Sequence, residues 1–223
     1  MNKSTTAKSE EVNQLIEPIL RKYEKLGLIN SALYSELKNN LKDQTWINEI
    51  QEVLNKVKDG KSIFSISKEI TKQKNDQRVL EMFTEFDVAK RLANTKFFGT
   101  FESVEYLLKN GQIRQPDFLA KSNDSITPVE AKLLSPQDLD ERKFFQKLID
   151  KVNNHALKQL QGYYQLKKFK SGMIFVWSHH SIQLPNIQYN DLEKYFKKQV
   201  PKQNFSVTII CILSSFGLWD FYI

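Results

Sequence analysis

The sequence predicts an α/β protein in which helices flank a mixed central sheet and an all-helical region precedes it. Three observations carry this. Apolar residues recur at helical spacing from about Glu10 to Leu92. After Asn94 the period changes to short, β-prone segments. Those segments run strand, strand, strand, helix, strand, helix, strand, an order with a hairpin-rich start and one crossover helix.

The helical region is expected to cover residues 1–75, with the α/β domain over 76–223. The first residues are polar and read as a frayed end. Val12, Leu15, Ile16, Ile19 and Leu20 form one apolar stripe, followed by Leu33, Leu37 and Leu41. Trp46, Ile47, Ile50, Val53, Leu54 and Val57 continue the pattern. No proline follows Pro18 in this stretch, and its two glycines, Gly27 and Gly60, stand where helices would end. The expected strands are Thr100 to Leu108, Arg114 to Lys121, Ile126 to Leu133, Met173 to Ser178, Ser206 to Leu213 and Leu218 to Tyr222. Asn110-Gly111 and Ser122 to Ser125 supply turns between the first three. Long helical stretches, about Pro136 to Phe169 and Tyr189 to Lys198, separate the third, fourth and fifth.

The 223 residues suit one ordinary domain or a core domain with a helical extension. Apolar residues make up 40% and charged residues 26%, the balance of a folded chain. The opening MNKSTTAKSEEVNQ lacks the apolar stretch of a secretory signal, and Val207 to Leu213 is too short to span a bilayer. The single cysteine, Cys211, lies in the apolar run TIICIL and reads as a buried small hydrophobe. The expectation is a cytoplasmic protein without a membrane segment.

Charge is concentrated. From Arg142 to Lys170 there are eight bases and one acid, Asp150, a local excess of +7 that equals the formal charge of the whole chain. Clustered charge builds a useful local field, and a polyanion is its natural partner. Lys147, Lys151 and Lys158 are the candidate phosphate contacts; a solvated Lys-rich helix face is the competing explanation.

The strongest chemical signal is RQPDFLAKSNDSITPVEAKLL. Side chains alternate along a strand, so Glu130 and Lys132 share a face and Ala131 points to the other. A hairpin across Ser122 to Ser125 brings Asp117 toward Glu130 on that face. Two acids buried side by side need a counter-charge, and a hard divalent cation such as Mg²⁺ suits carboxylate oxygens. In the preceding helix, RVLEMFTEFDVAKRL, Met82, Glu85, Ala89 and Leu92 lie on one face, so Glu85 interrupts an apolar stripe and needs a partner. Glu81, one turn earlier, is the alternative.

Pro116-Asp117 followed by Glu130-Ala131-Lys132 resembles the motif of the PD-(D/E)XK nuclease superfamily, over roughly Gln77 to Ser178. The resemblance implies a restriction-endonuclease-like core and a Mg²⁺-dependent deoxyribonuclease, with Mn²⁺ as a substitute metal and endonuclease favoured over exonuclease. Asp117, Glu130 and the backbone carbonyl of Ala131 would hold the metal, and Glu85 would support it. Lys132 would orient or help deprotonate the attacking water. Gln159 and Tyr163, one helical turn apart, resemble the Q-xxx-Y element of the exonuclease-like branch and would place substrate; Gln161 and Tyr164 are substitutes. The implied partner is nucleic acid, DNA before RNA.

Other constellations fare worse. His179 and His180 are adjacent and expected at a strand end, where neighbours face opposite ways, so one ion cannot use both. His155 reads as solvent-facing or as a phosphate contact. There is no P-loop, GxGxxG or nucleophile elbow. Two alternatives stand beside the nuclease: a catalytically silent nucleic-acid-binding or scaffold subunit of a defence or recombination complex, and an interaction protein docking a second copy or another protein through its N-terminal helices.

Overall fold

The computed structural model describes residues 3–65, 76–94, 101–108, 115–123, 125–134, 141–178, 188–213 and 217–223. The chain is α/β. Three helices come first: α1 (Lys3–Lys25), α2 (Ala32–Asn40) and α3 (Gln44–Lys56). Gly27, at φ 70°, ends α1 as expected, because the reversal there needs the left-handed region that glycine enters at no cost. Ser31 and Asp43 begin the next two helices by accepting from the N–H groups of Tyr34 and Thr45, at 3.1 and 2.8 Å.

The end of this region departs from the expected run of helices. After α3 the chain enters a two-residue strand, β1 (Val57–Lys58), and a 3₁₀ turn, Gly60–Phe64. The left-handed residue here is Asp59, at φ 60°, not Gly60. Asp tolerates that region better than most residues.

Helix α4 (Gln77–Ala93) leads into β2 (Ser103–Tyr106), β3 (Phe118–Ser122) and β4 (Ser125–Leu133). The expected long helix follows as α5 (Glu141–Asp150), a π-helical segment (Lys151–Leu157) and α6 (Lys158–Leu166). Then come β5 (Ser171–Ser178), α7 (Tyr189–Gln199), β6 (Ser206–Leu213) and β7 (Gly217–Tyr222). The first two strands are shorter than expected, and Asp117 sits immediately before β3 rather than within it. The anticipated Asn110-Gly111 turn lies outside the described residues.

The described strands form one seven-stranded sheet in order β1 to β7. β1–β2, β4–β5 and β5–β6 are parallel; β2–β3, β3–β4 and β6–β7 are antiparallel. The parallel pairs are those spanned by helical crossovers, as chain connectivity requires. Alternation divides the sheet between two apolar clusters. Phe118, Ala120, Val129, Ala131 and Phe175 pack with α4 and the N-terminal helices. Ile174, Val176, Ile209 and Cys211 pack with α5 through α7. The helices of residues 1–75 thus share a core with one face of the sheet, and β1 pairs with β2. Cys211 is fully buried, and burial alone holds its thiol in the neutral form. No helix among the described residues is long and apolar enough to cross a membrane.

Two consequences can be measured. Leu160 is fully buried, and a Cβ added at Gly172 would meet its Cδ1 at 3.1 Å, so this leucine clamps α6 to β5. Leu160→Ala should lower unfolding free energy by about 2–5 kcal/mol in urea titrations. Asp87 on α4 has its pKa pushed up to about 6, chiefly by burial, against the pull of Lys90 and Arg91. A carboxyl raised in the folded state contributes stability below its unfolded pKa and loses it as pH rises through about 6. The stability of Asp87→Asn relative to wild type should therefore increase from pH 4 to pH 7, and equal offsets at the two pH values would contradict the assignment.

Candidate active site

The site begins where the sheet splits. β3 and β4 are paired from Phe118↔Val129 back to Ser122↔Ser125, and continuing that register one step sets Asp117 opposite Glu130. Beyond Val129, β4 runs on beside β5, pairing Ala131 with Phe175 and Lys132 with Val176. The Asp117 carboxylate takes over where β3 is no longer alongside, accepting the Ala131 N–H at 2.8 Å. Glu130 and Lys132 share a face, as alternation predicts, and Lys132 Nζ donates to Glu130 Oε2. The same ammonium lies 3.7 Å from Asp117 Oδ2. Glu130 is fully buried and Asp117 is 2% exposed, so this cation neutralises an acid pair with almost no help from solvent. The expected convergence of Asp117, Glu130 and Lys132 is present.

A cavity of about 520 Å³ opens over this split and is lined by Asp117, Ala131 and Lys132. α4 forms one wall with Arg78, Glu81 and Glu85. Met82, Ala89 and Leu92 are buried as the stripe requires, and Glu85 is 8% exposed among them. Its carboxylate accepts from Tyr106 at 2.6 Å and from Arg78 at 3.3 Å. Glu81 is more exposed and shares Arg78, also at 3.3 Å. Burial opposes the charge on Arg78, but Glu85 and Glu81 outweigh it and hold its pKa above the ordinary value. Burial first, then Glu85, keeps the Tyr106 phenol protonated as a donor.

The opposite wall is the helix after β4, where Lys151, His155 and Gln159 reach the cavity. They are four residues apart, and the π-helical segment carries the first two. Its wider turn keeps such a series on one face longer than an α-helix would. His155 is about half exposed and lies 3.4 Å from Asp150. The other basic-helix candidates are elsewhere. Tyr163 stacks on Phe169 with centroids 6.2 Å apart, outside the cavity lining. Lys158 lines a separate cavity with Gln161 and Lys202, and Lys147 is exposed on α5. Gln161 donates to Gln203 at 2.7 Å, and Tyr164 packs on Phe169 and Phe205. His179 and His180 lie outside the described residues.

Arg78 and Tyr106 are site residues that sequence reading missed. Arg78 had a signal, since it precedes Glu81 by three and Glu85 by seven on one helix. Tyr106 had none: its approach to Glu85 depends on how α4 lies against β2.

The donor set suits a hard cation in kind. Asp117 and Ala131 line the cavity, while Glu130, fully buried beneath Lys132, is not among its lining residues; Mg²⁺ keeps several waters when protein ligands are few. Among the described residues, however, no three His, Cys, Asp or Glu side chains gather as a ready metal cluster. Lys132 already engages both acids, so a metal would compete with its ammonium for the same oxygens. No protein-family model, curated protein or solved structure matches this chain.

Removing the ammonium would take away the cation that two buried carboxylates share. Lys132→Met should therefore cost about 3–5 kcal/mol of stability at neutral pH, measured by urea unfolding in EDTA. A decrease under about 1 kcal/mol, the scale of an exposed pair, would mean that Lys132 does not neutralise the acids in solution.

Proposed function

We propose that this protein is a Mg²⁺-dependent nuclease that hydrolyses phosphodiester bonds, with DNA preferred over RNA and internal bonds over ends. One observation carries the reading: two buried carboxylates and a lysine converge at the split of a mixed sheet, beside a cavity bordered by Arg78, Lys151 and Gln159. The resemblance of those three residues to the PD-(D/E)XK motif, and the +7 segment that supplies the second wall, support it.

In this reading Asp117, Glu130 and the Ala131 carbonyl hold the cation, and Mg²⁺ supplies Lewis acidity and charge neutralisation at the scissile phosphate when bound. Glu85 braces that ligand set from α4, itself fixed by Tyr106 and Arg78. Lys132, once released from the acids, orients the attacking water and offsets charge building on the phosphate. Water adds to phosphorus, the bond to the leaving oxygen breaks, and the water's proton ends on that oxygen. Arg78, Lys151 and Gln159 hold non-bridging phosphate oxygens; a guanidinium is the donor best shaped for two of them.

The same closure of Lys132 over both acids favours a second reading, a silent nucleic-acid-binding or scaffold subunit. Supercoiled plasmid incubated with Mg²⁺, Mn²⁺ or EDTA separates the two. The nuclease reading expects metal-dependent nicking or linearisation that disappears in Asp117→Asn and Lys132→Met, provided both variants retain the wild-type circular dichroism spectrum. It also expects Mn²⁺ to raise the wild-type melting temperature and to do so less in Asp117→Asn. A salt-sensitive gel shift without cleavage would transfer the conclusion to the silent subunit.

Replacing Lys147, Lys151 and Lys158 together should weaken binding to unrelated duplexes alike. The slope of log affinity against log salt should become shallower by about 0.9 for each phosphate that is no longer neutralised. An unchanged slope would move the binding face off this helix.

A further inference from the structure

A second cavity, of about 590 Å³, lies between α1 and the 3₁₀ turn Gly60–Phe64. Its apolar surface comes from Leu15, Pro18 and Phe64. Its charged surface comes from Arg21, Lys22, Lys25 and Lys61, and no acid lines it among the described residues. Ser65 lines both this groove and the candidate active site, so the two adjoin at that residue. We propose that this groove is the track for an unpaired nucleic-acid strand running to or from the active site; the proposal rests on the nuclease reading for the direction of the strand, not for the binding itself.

The chemistry of the walls selects the ligand. A row of cations fits a row of phosphates, and an apolar surface between them fits base faces, which only an unpaired strand can present. A duplex keeps its bases stacked inside and could use the rim alone. Two of the cations are paired: Arg21 with Glu17 at 2.9 Å, both exposed, and Lys61 with the part-buried Glu11. An exposed pair such as Arg21–Glu17 is worth little, so phosphate can replace that carboxylate at small cost. An acidic amphipathic peptide has related chemistry, but adjacency at Ser65 to a cavity walled by Arg78, Lys151 and Gln159 favours a nucleic acid that reaches both.

The test is fluorescence anisotropy on the full chain in EDTA, with labelled oligothymidylate of about 16 nucleotides, long enough for a single-strand site, a duplex of equal length, and poly-glutamate. The variant replaces Arg21, Lys22, Lys25 and Lys61 by Ala, all side chains outside the cluster that holds α1 in place. Single-strand affinity should fall at least tenfold, and the salt slope should drop by about 3, at roughly 0.7 for each phosphate neutralised. Duplex affinity should change far less. Lys25→Glu alone should weaken the single strand in the same direction, which guards against a folding defect in the multiple variant. Unchanged single-strand binding in both variants overturns the track, as does poly-glutamate binding tighter than the oligonucleotide or an equal decrease on duplex. Because EDTA removes hydrolysis from the measurement, weakened single-strand binding by a protein that never cuts plasmid would keep the groove and sink the nuclease reading. Plasmid cutting with intact single-strand binding in the variants would do the reverse.

Discussion

The architecture of the cleft depends on one electrostatic constraint: Asp117 and Glu130 are both buried and share one cation. Carboxylates this deep cannot be left to solvent, and the interior offers them Lys132. Each of the three owes its place to the sheet. β3 stops one residue short of Glu130's partner position, so Asp117 turns its side chain onto the Ala131 N–H. β4 continues because β5 carries it, which keeps Glu130 and Lys132 on one face two residues apart.

A similar economy operates on α4. Glu85 lies in an otherwise apolar stripe, and its burial is tolerated because Tyr106 and Arg78 both donate to it. Charges that would be unfavourable singly thus appear as two neutralised groups on either side of one cavity. Rearranging either group means breaking charge-assisted bonds in a poorly hydrated space, which favours a few discrete arrangements over continuous adjustment. A divalent cation entering between the acids would be one such alternative arrangement.

Much of this was legible in the sequence, and the reasons differ by level. Strand alternation is a short-range rule, so Glu130 and Lys132 could be placed on one face, and the Ser122 to Ser125 turn fixed the hairpin that faces Asp117 toward them. Helical spacing put Glu85 in its stripe for the same reason. The Q-xxx-Y pair shows where such reasoning ends. Gln159 meets the cavity, but Tyr163 finds Phe169 instead, because residues four apart on an α-helix are offset around the axis and aromatic packing decides between two surfaces. β1 was hidden because a two-residue strand has no period to read, and its pairing with Val104 and Glu105 is made by distant chain. Tyr106 was hidden for the related reason that only tertiary packing brings it to Glu85.

The division of the apolar interior into two clusters has a mechanical side. The wall bearing Arg78 and Glu85 belongs to the cluster that includes α1 and α3, while the wall bearing Lys151 and His155 belongs to the other. The sheet joins them across the cleft. A close-packed cluster transmits displacement with little compression. Load applied at α1 would therefore arrive at Glu85 nearly undiminished, whereas Lys151 would feel it through bending of the strands. The two walls of the cleft are thus anchored in different packed bodies, with the sheet as their shared support.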